Sequence, residues 1–168
     1  MKYKELTIRC ECVICKSCGK QNLLYYLSDF SYGEKLLLTE KTESYIYLNI
    51  FNDPTYEEVK NILSLIEQKE ISYESNLFKI AYQSTFDSIN NEKVIFNDSI
   101  RHCTYCHSTN FNNILVKPEY TKIIKLPEIT HYEWQKKTEQ EKEKTIRSFS
   151  PLPWTSTCTH QGRTCRSS

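Results

Sequence analysis

The sequence of 168 residues predicts an α+β fold on three observations. Apolar or alternating runs of strand length are bounded by turn residues, the pattern of an antiparallel sheet. Apolar residues at helical spacing follow the helix-start signal Asn52-Asp53-Pro54. Two Cys-x-x-Cys pairs, Cys15/Cys18 and Cys103/Cys106, bracket most of these segments. The length suits a single core, so residues 1–149 are expected to form one domain.

Lys4–Cys12 reads as a first strand with Ile8, Cys10 and Cys12 on one face, where free thiols behave as small apolar groups. Leu23–Leu27 is a short apolar run suited to a buried strand. Ser31-Tyr32-Gly33-Glu34 signals a turn, with Lys35–Thr39 returning. Ser44–Phe51 is the clearest strand, placing Tyr45, Tyr47 and Phe51 on one face and Ile46, Leu48 and Ile50 on the other. Bulk on both faces predicts a central, doubly covered strand, and residues 23–51 are expected to form an antiparallel meander.

Asp53 as N-cap and Pro54 at the first position start a helix. Tyr56, Val59, Ile62, Leu63 and Ile66 form its core stripe, and Glu57, Glu58 and Glu67 are expected on its outer face. Residues 75–89 read as a second helix with Leu77, Ile80, Ala81 and Ser84 on one face, while Phe78, Tyr82 and Phe86 support an alternating reading as well. Val94–Phe96 is a short strand. Strands at 113–117 and 121–126 are expected to be broken by Pro118. Thr130 and Glu133 have capping-box spacing for a polar C-terminal helix over 130–149, anchored by Trp134, Ile146 and Phe149. Residues 150–168 contain no Ile, Asn, Lys, Tyr or Glu and read as a disordered, cloning-derived or read-through tail. Its Cys158, His160 and Cys165 offer three ligands without a knuckle.

Two cysteines separated by two residues reach one metal ion from a tight turn, and two such pairs complete a tetrahedral four-thiolate site. Gly19 relieves the first turn, where the backbone enters a conformation costly for other residues. The second pair has no glycine, and Asn110 is the nearest residue tolerant of a left-handed backbone. Cys12/Cys15 has the same spacing, but Val13 and Ile14 between them favour extended chain. Cys15, Cys18, Cys103 and Cys106 are thus the expected ligands, with Cys10, Cys12, His102 and His107 as substitutes and iron as an alternative to zinc. The segments 15–19 and 103–107 resemble the knuckles of the zinc-ribbon superfamily. That resemblance implies a ribbon-like base, an insertion over 20–100 carrying the meander and two helices, and a structural zinc without an activity.

Formal net charge is +1, but the knuckle-bearing ends are basic and residues 21–100 acidic. Three glycines, far apart, leave no phosphate-cradling loop. No His-Glu-x-x-His or Gly-x-Ser-x-Gly motif is present, and His131-Tyr132-Glu133 lacks the Pro-Cys-x-x-Cys that should follow it in a nucleobase deaminase. The leading expectation is a non-enzymatic, zinc-stapled protein-binding module of adaptor, antitoxin or immunity type. Tyr45, Tyr47, Glu57, Glu58 and Glu67 would then contact a basic protein. The alternative is nucleic-acid binding through Arg9, Lys16, Lys20, Arg101 and Tyr105, and a redox or metal-dependent enzyme stands third. With no secretory signal and no apolar run of membrane length, a cytoplasmic protein without membrane contact is expected.

Overall fold

Among the described residues, paired strand patterns and helix-start signals assemble into two three-stranded antiparallel sheets and four helices, the α+β class expected. The computed structural model describes residues 2–27, 31–41, 44–96 and 102–150, without the side chains of 113–119. Residues 151–168, with Cys158, His160 and Cys165, lie outside the described residues, as does Arg101.

The first sheet has the order β2-β1-β6, with β1 Tyr3–Cys15, β2 Gln21–Tyr26 and β6 Phe111–Pro127. β1 outruns the expected strand and carries the chain directly into the first knuckle. β6 is one strand, contrary to the expected break at Pro118. Its pairing steps from Cys10↔Tyr120 to Cys12↔Lys117, leaving one extra residue on β6. Proline has no N–H to give a ladder, and an edge strand at a bulge is where that loss is tolerated. Further register shifts bring Phe111 opposite Cys15.

The second sheet has the order β4-β3-β5, with β3 Glu34–Thr39, β4 Tyr45–Asn49 and β5 Val94–Ile95. The meander expected over 23–51 is therefore divided, because β2 pairs back onto β1 while β3 and β4 form a hairpin in the other sheet. β4 has the two covered faces its sequence predicts. Ile46 and Leu48 join the helical core, and Tyr45 meets Tyr25 of the first sheet edge-on at 5.3 Å. By pairing it is an outer strand, and β3 is central. Its free edge is closed by a parallel bridge from Tyr47 to Glu128 and by the Ile129 N–H donated to Tyr47 O at 3.0 Å. Phe51 leaves the tyrosine face. It sits in a 3-10 turn, Ile50–Asn52, lying 74% exposed over Gly33, whose φ is +73°.

Helix α1 (Pro54–Glu67) begins as read, Asp53 accepting from Thr55 N at 2.9 Å. Its Val59, Leu63 and Ile66 pack with Leu37 and Ile46 of the second sheet and with α2 (Asn76–Gln83). α2 buries Phe78, Ala81 and Tyr82, while Ile80 is 53% exposed, so its inward face is rotated from the expected one. Aromatic area decides the rotation: Phe78 and Tyr82 stack at 5.8 Å and Tyr56 meets both edge-on.

The C-terminal helix is two helices, α3 (Tyr132–Gln135) and α4 (Glu139–Arg147). The capping box forms at Thr138/Glu141 instead of Thr130/Glu133. Asp87 supplies the start of α3, accepting from Thr130 Oγ1 at 2.6 Å and from the N–H groups of Tyr132 and Glu133 at 2.6 and 3.0 Å. Glu58, expected on the outer face of α1, is drawn under these helices, accepting from Trp134 Nε1 at 2.7 Å and Lys142 Nζ at 2.6 Å. Glu67 is buried as well. Thr138→Ala should lower stability by about 1 kcal/mol, a fall of about 2–4 °C in melting temperature. Differential scanning fluorimetry would read this directly.

Candidate metal centre

β1 ends at Cys15, Cys18 lies in the turn that follows, and Cys103 and Cys106 lie in the matching turn before β6. The two turns are built alike. Gly19 N donates to Cys15 O and His107 N to Cys103 O, both at 2.9 Å. Cys15 N donates to Lys20 O at 3.0 Å and Cys103 N to Ser108 O at 2.8 Å. Gly19 has φ +71° and, in the equivalent place, His107 has φ +56°. The left-handed residue of the second turn is therefore His107 and not Asn110, and a histidine accepts the strain because the turn is fixed by its hydrogen bonds. The turns are tied together by Lys16 N to Asn110 O at 2.9 Å and by a Ser17–Ser108 hydroxyl contact at 2.7 Å.

All four sulfurs lie within 4.8 Å of one another. Cys15–Cys106 and Cys18–Cys103 are each 3.6 Å apart. A tetrahedral zinc with bonds of about 2.3 Å needs sulfur–sulfur edges of about 3.8 Å, so the donor set and its spacing fit the ion. Cys10 and Cys12 are buried within the first sheet, and His102 and His107 are not members of the cluster.

The thiol energetics agree with a cation site. Burial, which would push Cys103 up, is overcome by the N–H groups of Tyr105 and Cys106 and by Asn22, and its pKa falls to about 6. Cys15 is lowered too, burial being outweighed by the N–H groups of Cys18 and Ser17. Cys106 goes the other way: the Ser108 N–H lowers it, but burial and the hydrogen bonds shared with Cys15, Cys18 and Cys103 lift it to about 12. Four anionic sulfurs at this spacing cannot all ionise unless a positive ion joins them.

Asn22 is the centre's residue that spacing rules miss. It is 4% exposed on β2, with Nδ2 donating to Lys20 O at 3.0 Å and to Cys103 Sγ at 3.4 Å. Its Oδ1 accepts from Thr104 N at 2.9 Å and Thr104 Oγ1 at 3.2 Å. The only sequence signal was a polar residue opening an otherwise apolar run.

The residues expected to meet a basic protein are not brought together as a surface. Tyr47 and Glu67 are buried, Tyr45 and Glu58 are half-buried and engaged internally, and Glu57 alone is exposed. Of the basic set, Lys16 and Lys20 are exposed on the knuckles, and Lys20 Nζ sits 4.3 Å from the centre of the Tyr105 ring. Arg9 is half-buried beside Glu11.

A second polar cluster lies away from the cysteines. His131 Nε2 meets Asp53 Oδ2 at 2.7 Å and His131 Nδ1 meets Thr85 Oγ1 at 2.9 Å. The order resembles a hydroxyl–histidine–carboxylate relay, but Thr85 is 2% exposed and its hydroxyl donates to Tyr82 O. It latches α1, α2 and α3 together and presents no nucleophile.

Comparison with protein-family models, curated proteins and solved structures finds no match. Fold and site together define an α+β protein carrying a four-cysteine cluster consistent with a zinc site. No helix among the described residues is long and apolar enough to cross a membrane.

Proposed function

We propose that this chain is a non-enzymatic binding module stapled by a structural zinc. The closed four-thiolate cage carries the reading, because a metal with four protein sulfurs has no open position for water or substrate. The ion would be held by Cys15, Cys18, Cys103 and Cys106 and would supply folding energy to the two turns. Within this reading the contact surface is the knuckle face, and the partner is a single-stranded nucleic acid. The exposed Lys16 and Lys20 offer charge to phosphate, and Tyr105, 58% exposed, offers a ring to a base.

Fluorescence anisotropy with a labelled single-stranded oligonucleotide tests it. Two cationic contacts give a slope of log affinity against log salt of about −1.4 on a single strand. Lys16→Glu with Lys20→Glu should weaken binding by about tenfold or more. Affinity independent of salt and of both substitutions would remove this reading.

A basic protein partner is the second reading, favoured by Leu65, 79% exposed on α1, and by the exposed Glu57 on the same helix. A nuclease-resistant, salt-sensitive protein recovered with the purified chain would support it.

A further inference from the structure

We propose that Asn22 sets how tightly the four-cysteine centre holds its metal and how slowly it lets it go. The inference rests on the metal reading above and adds a positioning residue that no cysteine spacing reveals. Every polar valence of the Asn22 amide facing the centre is used there. The Nδ2 amide group donates to Lys20 O and to Cys103 Sγ, and the carbonyl oxygen receives the N–H and hydroxyl of Thr104. Asn22 thus grips both turns at once, since Lys20 closes the first and Thr104 lies within the second.

The two turns match in their backbone bonds but not in this contact. Among the described residues, Cys103 is the cysteine of the cluster with a side-chain amide donating to its sulfur; Cys15 Sγ meets the backbone N–H groups of Cys18 and Ser17 and the other thiols. An N–H donated to a ligating sulfur spreads the thiolate's negative charge and fixes its direction, and buried as this one is, no water replaces it when it is removed. Outer partners of this kind are typically worth about 10–100-fold in metal affinity. Leucine at this position would keep the branched shape and lose all four hydrogen bonds. Aspartate would keep the shape and set a carboxylate against Cys103.

The test uses the full chain loaded with zinc, competed against a chromophoric chelator, and the same chain loaded with cobalt(II). The wild type should bind one metal ion per chain and show the visible absorption of tetrahedral thiolate-bound cobalt. Asn22→Leu should keep that stoichiometry and tetrahedral spectrum, bind zinc about 10–100-fold more weakly, release it faster, and shift the sulfur-to-cobalt charge-transfer band. Asn22→Asp should be weaker still. If Asn22→Leu does not fold, Thr104→Val at the exposed end of the network reads the same effect as a weakening of a few fold. Affinity within about twofold of wild type, with an unshifted charge-transfer band, would overturn the proposal even if the melting temperature fell, leaving Asn22 as a packing residue. A wild type that takes up neither zinc nor cobalt would instead overturn the metal reading beneath it.

Discussion

Cys18→Ser combined with Cys103→Ser should lower the melting temperature by about 10–20 °C, and stripping metal from the wild type should do the same. The two sulfurs are 85 positions apart in sequence and 3.6 Å apart in space. A cross-link closing a loop of that size is worth about 4–5 kcal/mol through the entropy it removes from the unfolded chain. For a protein of this length each kcal/mol moves the midpoint by about 2–4 °C. The ligands must lose protons to bind, so the stabilisation is full at neutral and higher pH and fades in acid as the sulfurs reprotonate. Calorimetry with and without chelator would measure it. An unchanged transition in the double variant would refute the staple.

Asp53→Ala should cost about 3–5 kcal/mol, from the lost helix cap and from the buried His131 and Tyr82 donors left without their acceptor. Asp53 both caps α1 and receives His131 Nε2 and the Tyr82 hydroxyl. Burial would raise its carboxyl, but the hydrogen bond and charge of His131, then Tyr82, hold it below the usual carboxylate range. A depressed folded value means that its contribution is complete above the unfolded pKa of about 3.9 and is lost as pH falls through the folded value. Asp53→Asn separates the two roles, since asparagine caps a helix as well as aspartate does. That variant should be less stable at pH 7 and lose less of its remaining stability between about pH 5 and 2. Urea unfolding across that range measures both, and parallel acid limbs for the two proteins would contradict the assignment.

The four clustered cysteines were legible because metal chemistry dictates a local spacing that survives any fold around it. α1 was legible for a similar reason, its cap and first-position proline being neighbours in sequence. What escaped reading was supplied from a distance. Asp87 starts α3 from more than forty positions upstream, which left Thr138 and Glu141 to make the capping box that spacing alone also allowed Thr130 and Glu133. Pro118 breaks an isolated strand on paper, yet β1 tolerates it by slipping one residue in register. Glu58 belongs to an acidic stripe until Trp134 and Lys142 arrive over it. His107 was read as a substitute ligand rather than as the left-handed residue of its turn, and Asn22 was not read at all, because a left-handed histidine and a buried amide are set by the neighbouring turn.

The middle strand of the first sheet is its N-terminal one, and this has a consequence for synthesis. β1 can pair with β2 as soon as the first knuckle has been made, but its other edge waits for β6, which pairs Tyr3 with Pro127. At about 5–20 residues per second, the ribosome leaves that edge and the Cys15/Cys18 half-site open for several seconds or longer. During that interval the nascent chain offers a metal ion two sulfurs instead of four. A four-sulfur site and a closed sheet therefore form late, once the second knuckle and then β6 have emerged from the exit tunnel.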